Sequence, residues 1–79
     1  MKYKMSQCSI IGKMFMNALK DTYQAKINTD KATMEIYLNN PVAIGEHPQH
    51  AEEIDKLLNS IATHEDKLES LKNHFGHCL

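Results

Sequence analysis

The second half of the chain carries apolar residues at alternating three- and four-residue steps. These steps give a period of about 3.5 residues, typical of a helix that buries one face. In heptad notation, the a and d positions hold Ile54, Leu57, Ile61, His64, Leu68, Leu71 and Phe75. Leu58 widens this stripe, acidic residues stand at 52 and 53, and Gly76 provides a helix stop. The pattern predicts one long helix over residues 48–74.

A polar residue interrupts the apolar stripe at His64. In such a position we expect a partly buried, hydrogen-bonded histidine that sets the register of two helices or marks a break. Thr63 and Asp66 resemble a capping pair, so a second helix could begin there. The sequence leaves both a continuous helix and a break near residues 62–64 open.

The first half also has helical periodicity, but it is less regular. Its main stripe consists of Ile11, Phe15, Ala18, Leu19, Thr22, Tyr23, Ala25, Thr29, Ala32 and Ile36. A second apolar set lies partly off that stripe and consists of Ile27, Met34, Tyr37 and Leu38. Asn28, Thr29 and Asp30 are poor in helix interiors and good as N-caps, so a break near 28–30 is as well supported as a continuous helix.

These patterns predict an all-α fold in a single helical domain, residues 1–79. The architecture is a small bundle of four helices, or an antiparallel hairpin of two long helices if the weak points do not break. Two amphipathic helices leave apolar surface exposed, so further packing within the chain or a homodimer must complete the core. A chain of 79 residues buries only about 60% of its extended surface.

The segment NNPVAIGEHPQH separates the two halves. Asn40 precedes Pro41 and is therefore pushed out of the helical region, which ends the first half. Gly45 permits a turn, and Pro48 suits the first turn of the next helix with His47 as its N-cap. We predict a helix stop, a turn and a helix start here, with Val42 and Ile44 folded back over the end of the bundle.

The net charge of −1 conceals two halves of opposite sign. Lysines outnumber acids up to Gly45, and acids outnumber lysines after it. The simplest interpretation is two solvated helix faces that attract each other. The alternative is a basic surface that binds nucleic acid weakly through the phosphate backbone. Because arginine is absent, base-specific DNA recognition is disfavoured. The lysines concerned are Lys2, Lys4, Lys13, Lys20, Lys26 and Lys31.

Two cysteines stand at opposite ends of the chain, and the default expectation for them is reduced thiols. In an antiparallel hairpin, however, Cys8 arrives opposite residue 79. A zinc cluster could then form from Cys8, His74, His77 and Cys78. The spacing matches no established zinc motif, so exposed histidines and incidental thiols are the favoured interpretation, and we predict no cofactor.

Enzymatic chemistry finds no support in the sequence. The acidic pairs Glu52–Glu53 and Glu65–Asp66 are adjacent, and adjacent helical residues diverge by about 100°, so neither pair converges on a substrate. No phosphate-binding loop or nucleophile elbow is present. No apolar run is long enough to span a membrane. We therefore predict a non-enzymatic protein with no membrane association.

From residue 37 to residue 75 the sequence resembles small proteins of T-even-type bacteriophages. The shared features are Asn-Pro-Val-x-Ile-Gly-Glu-His-Pro and the acidic amphipathic helix ending in EDKLESL. With CSIIGKMFMNALKDTYQAKINTDKATMEIYLNN ahead of them, nearly the whole chain is similar to the small phage proteins encoded beside the recombination helicase UvsW. The resemblance implies a mobile four-helix bundle, similar to the accessory nucleic-acid-binding module of RecQ-type helicases.

The resemblance also implies a role without catalytic residues. We expect an accessory protein of phage DNA recombination, repair or replication, located in the cytoplasm of the infected host cell. Its partners would be branched or single-stranded DNA, bound weakly, and the UvsW helicase or another recombination protein. The alternative is a protein–protein adaptor, helicase-associated or homodimeric, that binds no nucleic acid.

Overall fold

The computed structural model describes residues 8–39 and 50–79, which form two long helices and one short helical turn. Helix α1 spans Ile10–Leu38 and helix α2 spans His50–Phe75. A single 3₁₀ turn, Gly76–Cys78, follows α2. The predicted all-α class is confirmed. Of the two predicted architectures, the described residues adopt the two-helix hairpin and do not form the four-helix bundle.

Helix α1 runs without interruption through residues 28–30, so the break that the sequence allows there does not occur. Polar side chains that could cap a new helix there are instead engaged one turn away. Asn28 accepts a hydrogen bond from Gln24 at 3.2 Å, and Asp30 pairs with Lys26 at 3.3 Å. A helix propensity deficit of under about 1 kcal/mol per residue is readily overridden by such contacts.

The ends of α1 follow ordinary capping chemistry. Ser9 is the N-cap, and its hydroxyl oxygen accepts a hydrogen bond from the Gly12 amide at 2.9 Å. Asn39 ends the helix, donating its backbone N–H to the Glu35 carbonyl at 2.9 Å. The prolines and Gly45 that were expected to form the turn, together with His47, Val42 and Ile44, lie outside the described residues.

Helix α2 agrees closely with the prediction. Glu52 and Glu53 occupy its first turn, and Lys72 and His74 its last, which suits the helix dipole at both ends. The helix continues through residues 62–66, so the suspected second start does not occur. It ends at Phe75, and Gly76 begins the 3₁₀ turn as the predicted stop.

Contacts between the helices show that they are antiparallel. Along α1, Tyr37 meets His50 edge to face at 5.2 Å between ring centroids, and Tyr23 meets His64 at 5.9 Å. Between these two contacts, Ser60 donates a hydrogen bond to Asp30. Residue numbers therefore rise along α1 as they fall along α2. The result is a single layer of two helices, each with one face turned to solvent.

The face of α1 that packs on α2 is not the one the sequence favoured. Buried or half-buried positions recur at three- and four-residue steps, at Gly12, Met16, Lys20, Tyr23, Ile27, Asp30, Met34 and Tyr37, and Asn17 and Thr33 are half-buried beside them. The predicted main stripe is exposed except at Tyr23. Three members of the second apolar set, Ile27, Met34 and Tyr37, supply the packing instead, because their larger side chains reach across to α2, whereas alanine and threonine dominate the middle of the main stripe. The fourth member, Leu38, is 58% exposed.

On α2 the predicted stripe is largely correct. Leu68 and Leu71 are buried, and Ile54, Leu57 and Ile61 are half-buried. Leu58 and Phe75 depart from the prediction and are 56% and 47% exposed. Within residues 8–39 and 50–79 the buried apolar core is confined to Ile27, Leu68, Leu71 and Cys78. Such a small core leaves much apolar surface uncovered.

Candidate functional site

The exposed face of α1 carries a regular row of uncharged residues, which we call the outer stripe. One series, seven residues apart, is Ile11, Ala18, Ala25 and Ala32. The other, shifted by four, is Phe15, Thr22, Thr29 and Ile36. All eight are exposed, and the three large side chains are about two-thirds exposed: Ile11 at 65%, Phe15 at 66% and Ile36 at 65%. This spacing is that of a helix-packing seam.

The outer stripe has small side chains in its middle and carries no charged residue along its length. Alanine and threonine occupy its centre, which allows another helix to approach closely. The Thr22 hydroxyl donates to the Ala18 carbonyl at 2.8 Å, so its polar group is already satisfied within the helix. Asp21 and Lys26 border the stripe on opposite sides, and the Lys26 ammonium is held by Asp30. More apolar surface flanks the stripe at Ile10 and Met14, which are 80% and 67% exposed.

On the opposite side of α1 a buried polar cluster joins the two helices. Asp30 is 3% exposed, and its carboxylate accepts a hydrogen bond from the Ser60 hydroxyl at 2.5 Å. The carboxylate also pairs with the Lys26 ammonium at 3.3 Å. The Ser60 hydrogen bond, with Lys26 and His64 adding to it, lowers the pKa of Asp30 below its usual value despite its burial. The carboxylate is therefore ionised and paired near neutral pH.

The Asp30, Ser60 and His64 side chains do not form a nucleophilic triad. The His64 Nδ1 atom lies 2.7 Å from the Ser60 carbonyl, which can only accept, so Nδ1 carries the proton. The Ser60 hydroxyl directs its own proton to Asp30, whose lowered pKa makes it a weak base. The arrangement sets the register between the helices. It also confirms the expectation of a half-buried, hydrogen-bonded His64.

The cysteines meet at the open end of the hairpin, as the antiparallel arrangement predicted. Cys8 and Cys78 are joined by a disulfide with 5.4 Å between their Cα atoms and a sequence separation of 70. The expected reduced thiols are therefore not found. The His77 ring adds a third metal-ligand atom, and all three ligand atoms lie within 4.8 Å of one another. His74 is not part of this group; its ring contacts Phe75 at 6.3 Å between centroids.

The predicted lysine surface is divided. Lys13, Lys20 and Lys31 lie on one side of α1, within about 20° of each other around the helix axis. Lys26 lies on the other side, paired with Asp30. Lys31 also lines a groove of about 520 Å³ that it shares with Glu65, Glu69 and Lys72 of α2. Lys2 and Lys4 lie outside the described residues.

A second groove, of about 340 Å³, opens on the other face of the hairpin. It is lined chiefly by apolar side chains, among them Met16, Leu19, Tyr23, Leu71 and Phe75. The Lys67 ammonium lies 5.4 Å from the centroid of the Tyr23 ring, a cation–π distance. This groove is shallow and open, and it continues the apolar surface at the cysteine end of the hairpin.

Comparison of the chain with protein-family models, curated proteins and solved structures gives no match. In residues 8–39 and 50–79, neither helix is both long and apolar enough to cross a lipid bilayer.

The link between Asp30 and Ser60 was not anticipated. One sequence signal predicts this link. Asp30 and Ser60 lie at similar distances from the segment between the helices, Asp30 on the packing side of α1 and Ser60 beside the apolar stripe of α2. That signal depends on knowing which face of α1 packs on α2, and the more regular stripe of α1 indicates the opposite face.

Proposed function

We propose that this chain is a non-enzymatic protein-interaction module that works as a homodimer, with the outer stripe of α1 as its contact surface. The observation that carries the proposal is the seven-residue repeat of uncharged side chains on a helix face that α2 leaves exposed. A period of about 3.5 residues matches left-handed packing of two helices. This is the adaptor hypothesis in its homodimeric form.

The second copy fits because the stripe is complementary to itself in an antiparallel pairing. Ile11 of one copy then lies opposite Ile36 of the other, and Phe15 lies opposite Ala32. Towards the centre, Ala18 meets Thr29, and Thr22 meets Ala25 of the other copy. A parallel pairing would instead place Phe15 against Phe15 and hold the alanine-rich centres apart. The antiparallel pairing therefore sets Phe15 against a small residue and brings the small central residues together, which allows the two helices to pack closely.

The exposed large side chains supply part of the area that a dimer needs. Each large aliphatic or aromatic side chain buries about 100 Å² when fully covered, from its transfer free energy and about 25 cal/mol per Å². The five large side chains on and beside the stripe are 65–80% exposed, so they would contribute roughly 340 Å² per copy on that basis. A standard interface buries about 800 Å² per partner. The alanines, threonines and helix margins between them can supply the difference.

The test is the oligomeric state at several concentrations by sedimentation equilibrium. Wild type should dimerise at micromolar concentration, and Ala25→Glu should be monomeric with unchanged helical content. The matched control is Ala62→Glu, the same substitution at an exposed position of α2, which should still dimerise. A monomeric wild type, or an Ala25→Glu protein that dimerises like the control, would refute the proposal.

A second candidate function is the weak nucleic-acid binding implied by the phage resemblance, in an accessory role in recombination, repair or replication. It is favoured by the alignment of Lys13, Lys20 and Lys31 along one side of α1. It is opposed by Glu65 and Glu69, whose charges balance those of Lys31 and Lys72 in the groove that these four residues line. Any binding should therefore be weak and strongly dependent on salt.

Fluorescence anisotropy with branched and single-stranded DNA, at low and moderate salt, tests this candidate. Replacing Lys13, Lys20 and Lys31 together by glutamine should abolish binding. The control Lys56→Gln, on α2, should leave it unchanged. Affinity that does not respond to salt, or that survives the triple substitution, would rule out the lysine row as the binding surface.

A further inference from the structure

The open end of the hairpin brings three metal-ligand side chains together from opposite ends of the sequence. Cys8 immediately precedes Ser9, the N-cap of α1, and His77 and Cys78 belong to the 3₁₀ turn after α2. Cys78 is 5% exposed and Cys8 is half-buried, whereas His77 is exposed. Their ligand atoms lie within 4.8 Å of one another. The register of the two helices holds the backbone of both cysteines in place.

Two thiolates and an imidazole are a characteristic zinc ligand set. Zinc binds sulfur at about 2.3 Å and histidine nitrogen at about 2.0–2.1 Å, usually in a tetrahedron. Ligand atoms in such a tetrahedron are about 3.5–3.8 Å apart. The two sulfur atoms are bonded to each other in the oxidised form and must move apart after reduction. The His77 nitrogen must approach them by at most about 1.3 Å. Rotation about the side-chain bonds of the two cysteines and His77 can provide both changes. Three protein ligands leave a fourth position for water or another group.

We propose that reduction of the Cys8–Cys78 disulfide converts this end of the hairpin into a zinc site formed by Cys8, Cys78 and His77. Reduction takes two electrons and two protons from a dithiol reductant, which becomes a disulfide, and leaves two thiols on the chain. Binding of Zn²⁺ then releases those two protons, one from each sulfur, as two zinc–sulfur bonds form. The neutral His77 ring donates a nitrogen lone pair.

The oxidised form and the reduced, zinc-bound form link the same two cysteines by different bonds. The disulfide links residues with a sequence separation of 70, and zinc bound to the reduced form links the same two residues. Metal binding should therefore be coupled to folding, as in other small domains whose ligands converge only in the folded state. The hairpin would keep its open end closed under oxidising conditions and, with zinc, under reducing ones.

Cobalt titration of the full chain, reduced with a phosphine that does not bind the metal, tests the proposal. We expect one Co²⁺ per chain, with the sulfur-to-cobalt charge-transfer bands and the visible bands of a tetrahedral site, and displacement by Zn²⁺. The oxidised protein should show none of these bands. Zn²⁺ should also raise the melting temperature of the reduced protein.

Two histidine variants distinguish this site from chance binding by thiols. His77→Ala should weaken Co²⁺ and Zn²⁺ binding by more than roughly 100-fold, since loss of a direct ligand exceeds the effect of losing an outer-shell group. His74→Ala, a matched change outside the cluster, should bind as wild type does. The proposal is overturned if reduced wild type gives no tetrahedral spectrum, or if the two variants bind the metal equally.

Discussion

Reduction of the Cys8–Cys78 disulfide should cost this protein a large part of its stability. The bond joins residues separated by 70 positions. In the chain-entropy model, breaking the cross-link across a loop of that length raises the conformational entropy of the unfolded chain. The free energy of unfolding falls by about 4 kcal/mol at 25 °C as a result. A chain of 79 residues has a total unfolding free energy of roughly 4–12 kcal/mol. The small buried core of the described residues places this hairpin near the lower end of that range.

Urea unfolding followed by far-UV circular dichroism measures the effect. The oxidised and phosphine-reduced proteins should be compared at one protein concentration, because dimerisation would otherwise alter the apparent stability. A chelator must be present in both, so that no metal closes the loop in place of the disulfide. We expect the unfolding free energy to fall by about 4 kcal/mol, leaving a substantial unfolded population without denaturant.

A variant in which Cys8 and Cys78 are both serine provides the control. It should unfold like the reduced wild type and should not respond to the reductant. A loss below about 1 kcal/mol on reduction would refute the reasoning, because it would mean that the unfolded chain gains little freedom. A double-serine variant as stable as the oxidised protein would lead to the same conclusion.

Three further predictions concern the packed face. Asp30→Asn should remove the contribution of this carboxylate to the pH dependence of the unfolding free energy. Because folding lowers the pKa of Asp30, its ionised form stabilises the fold above the unfolded pKa near 3.8, and this stability is lost as the pH falls through the folded pKa. Acid titrations of wild type and variant, followed by circular dichroism, check this. Ser60→Ala should raise the pKa of Asp30, measured by carboxyl-carbon NMR, because it removes the main cause of the shift. Leu68→Ala should cost about 2–5 kcal/mol, and the exposed Leu58→Ala well under half of that, in urea unfolding.

The two helices were not equally predictable. Helix α2 has one apolar stripe with charged residues elsewhere, so the face that packs could be read directly from its spacing. Helix α1 has two apolar faces, and the sequence favours the one with more members. In the structure α2 packs instead on the face that bears Ile27, Met34 and Tyr37, whose larger side chains bury more area per residue. Periodicity counts positions, whereas packing responds to the size of the side chains.

The continuity of the helices was undecided in the sequence for a similar reason. Asn28, Thr29 and Asp30 lower helix propensity, and such residues commonly cap a new helix. The structure gives the side chains of Asn28 and Asp30 partners at a distance of four residues, and gives Asp30 one across the hairpin as well. A local propensity cannot anticipate a partner that the fold supplies from thirty residues away. The meeting of the cysteines was predictable, because it follows from counting outward from the turn.

The exposed outer stripe and the interhelical polar cluster have a common physical origin. By placing Asp30 against Ser60, α1 turns its larger apolar side chains towards α2 and its alanine and threonine row outward. A rotation of α1 that buried the alanine row would take the Asp30 carboxylate away from the Ser60 hydroxyl and reduce the apolar area in contact. The polar cluster therefore helps to select which face of α1 is left exposed, and with it the proposed dimer contact. Weakening it by Ser60→Ala should disturb dimerisation as well as stability, although Ser60 lies on the other helix from the proposed interface.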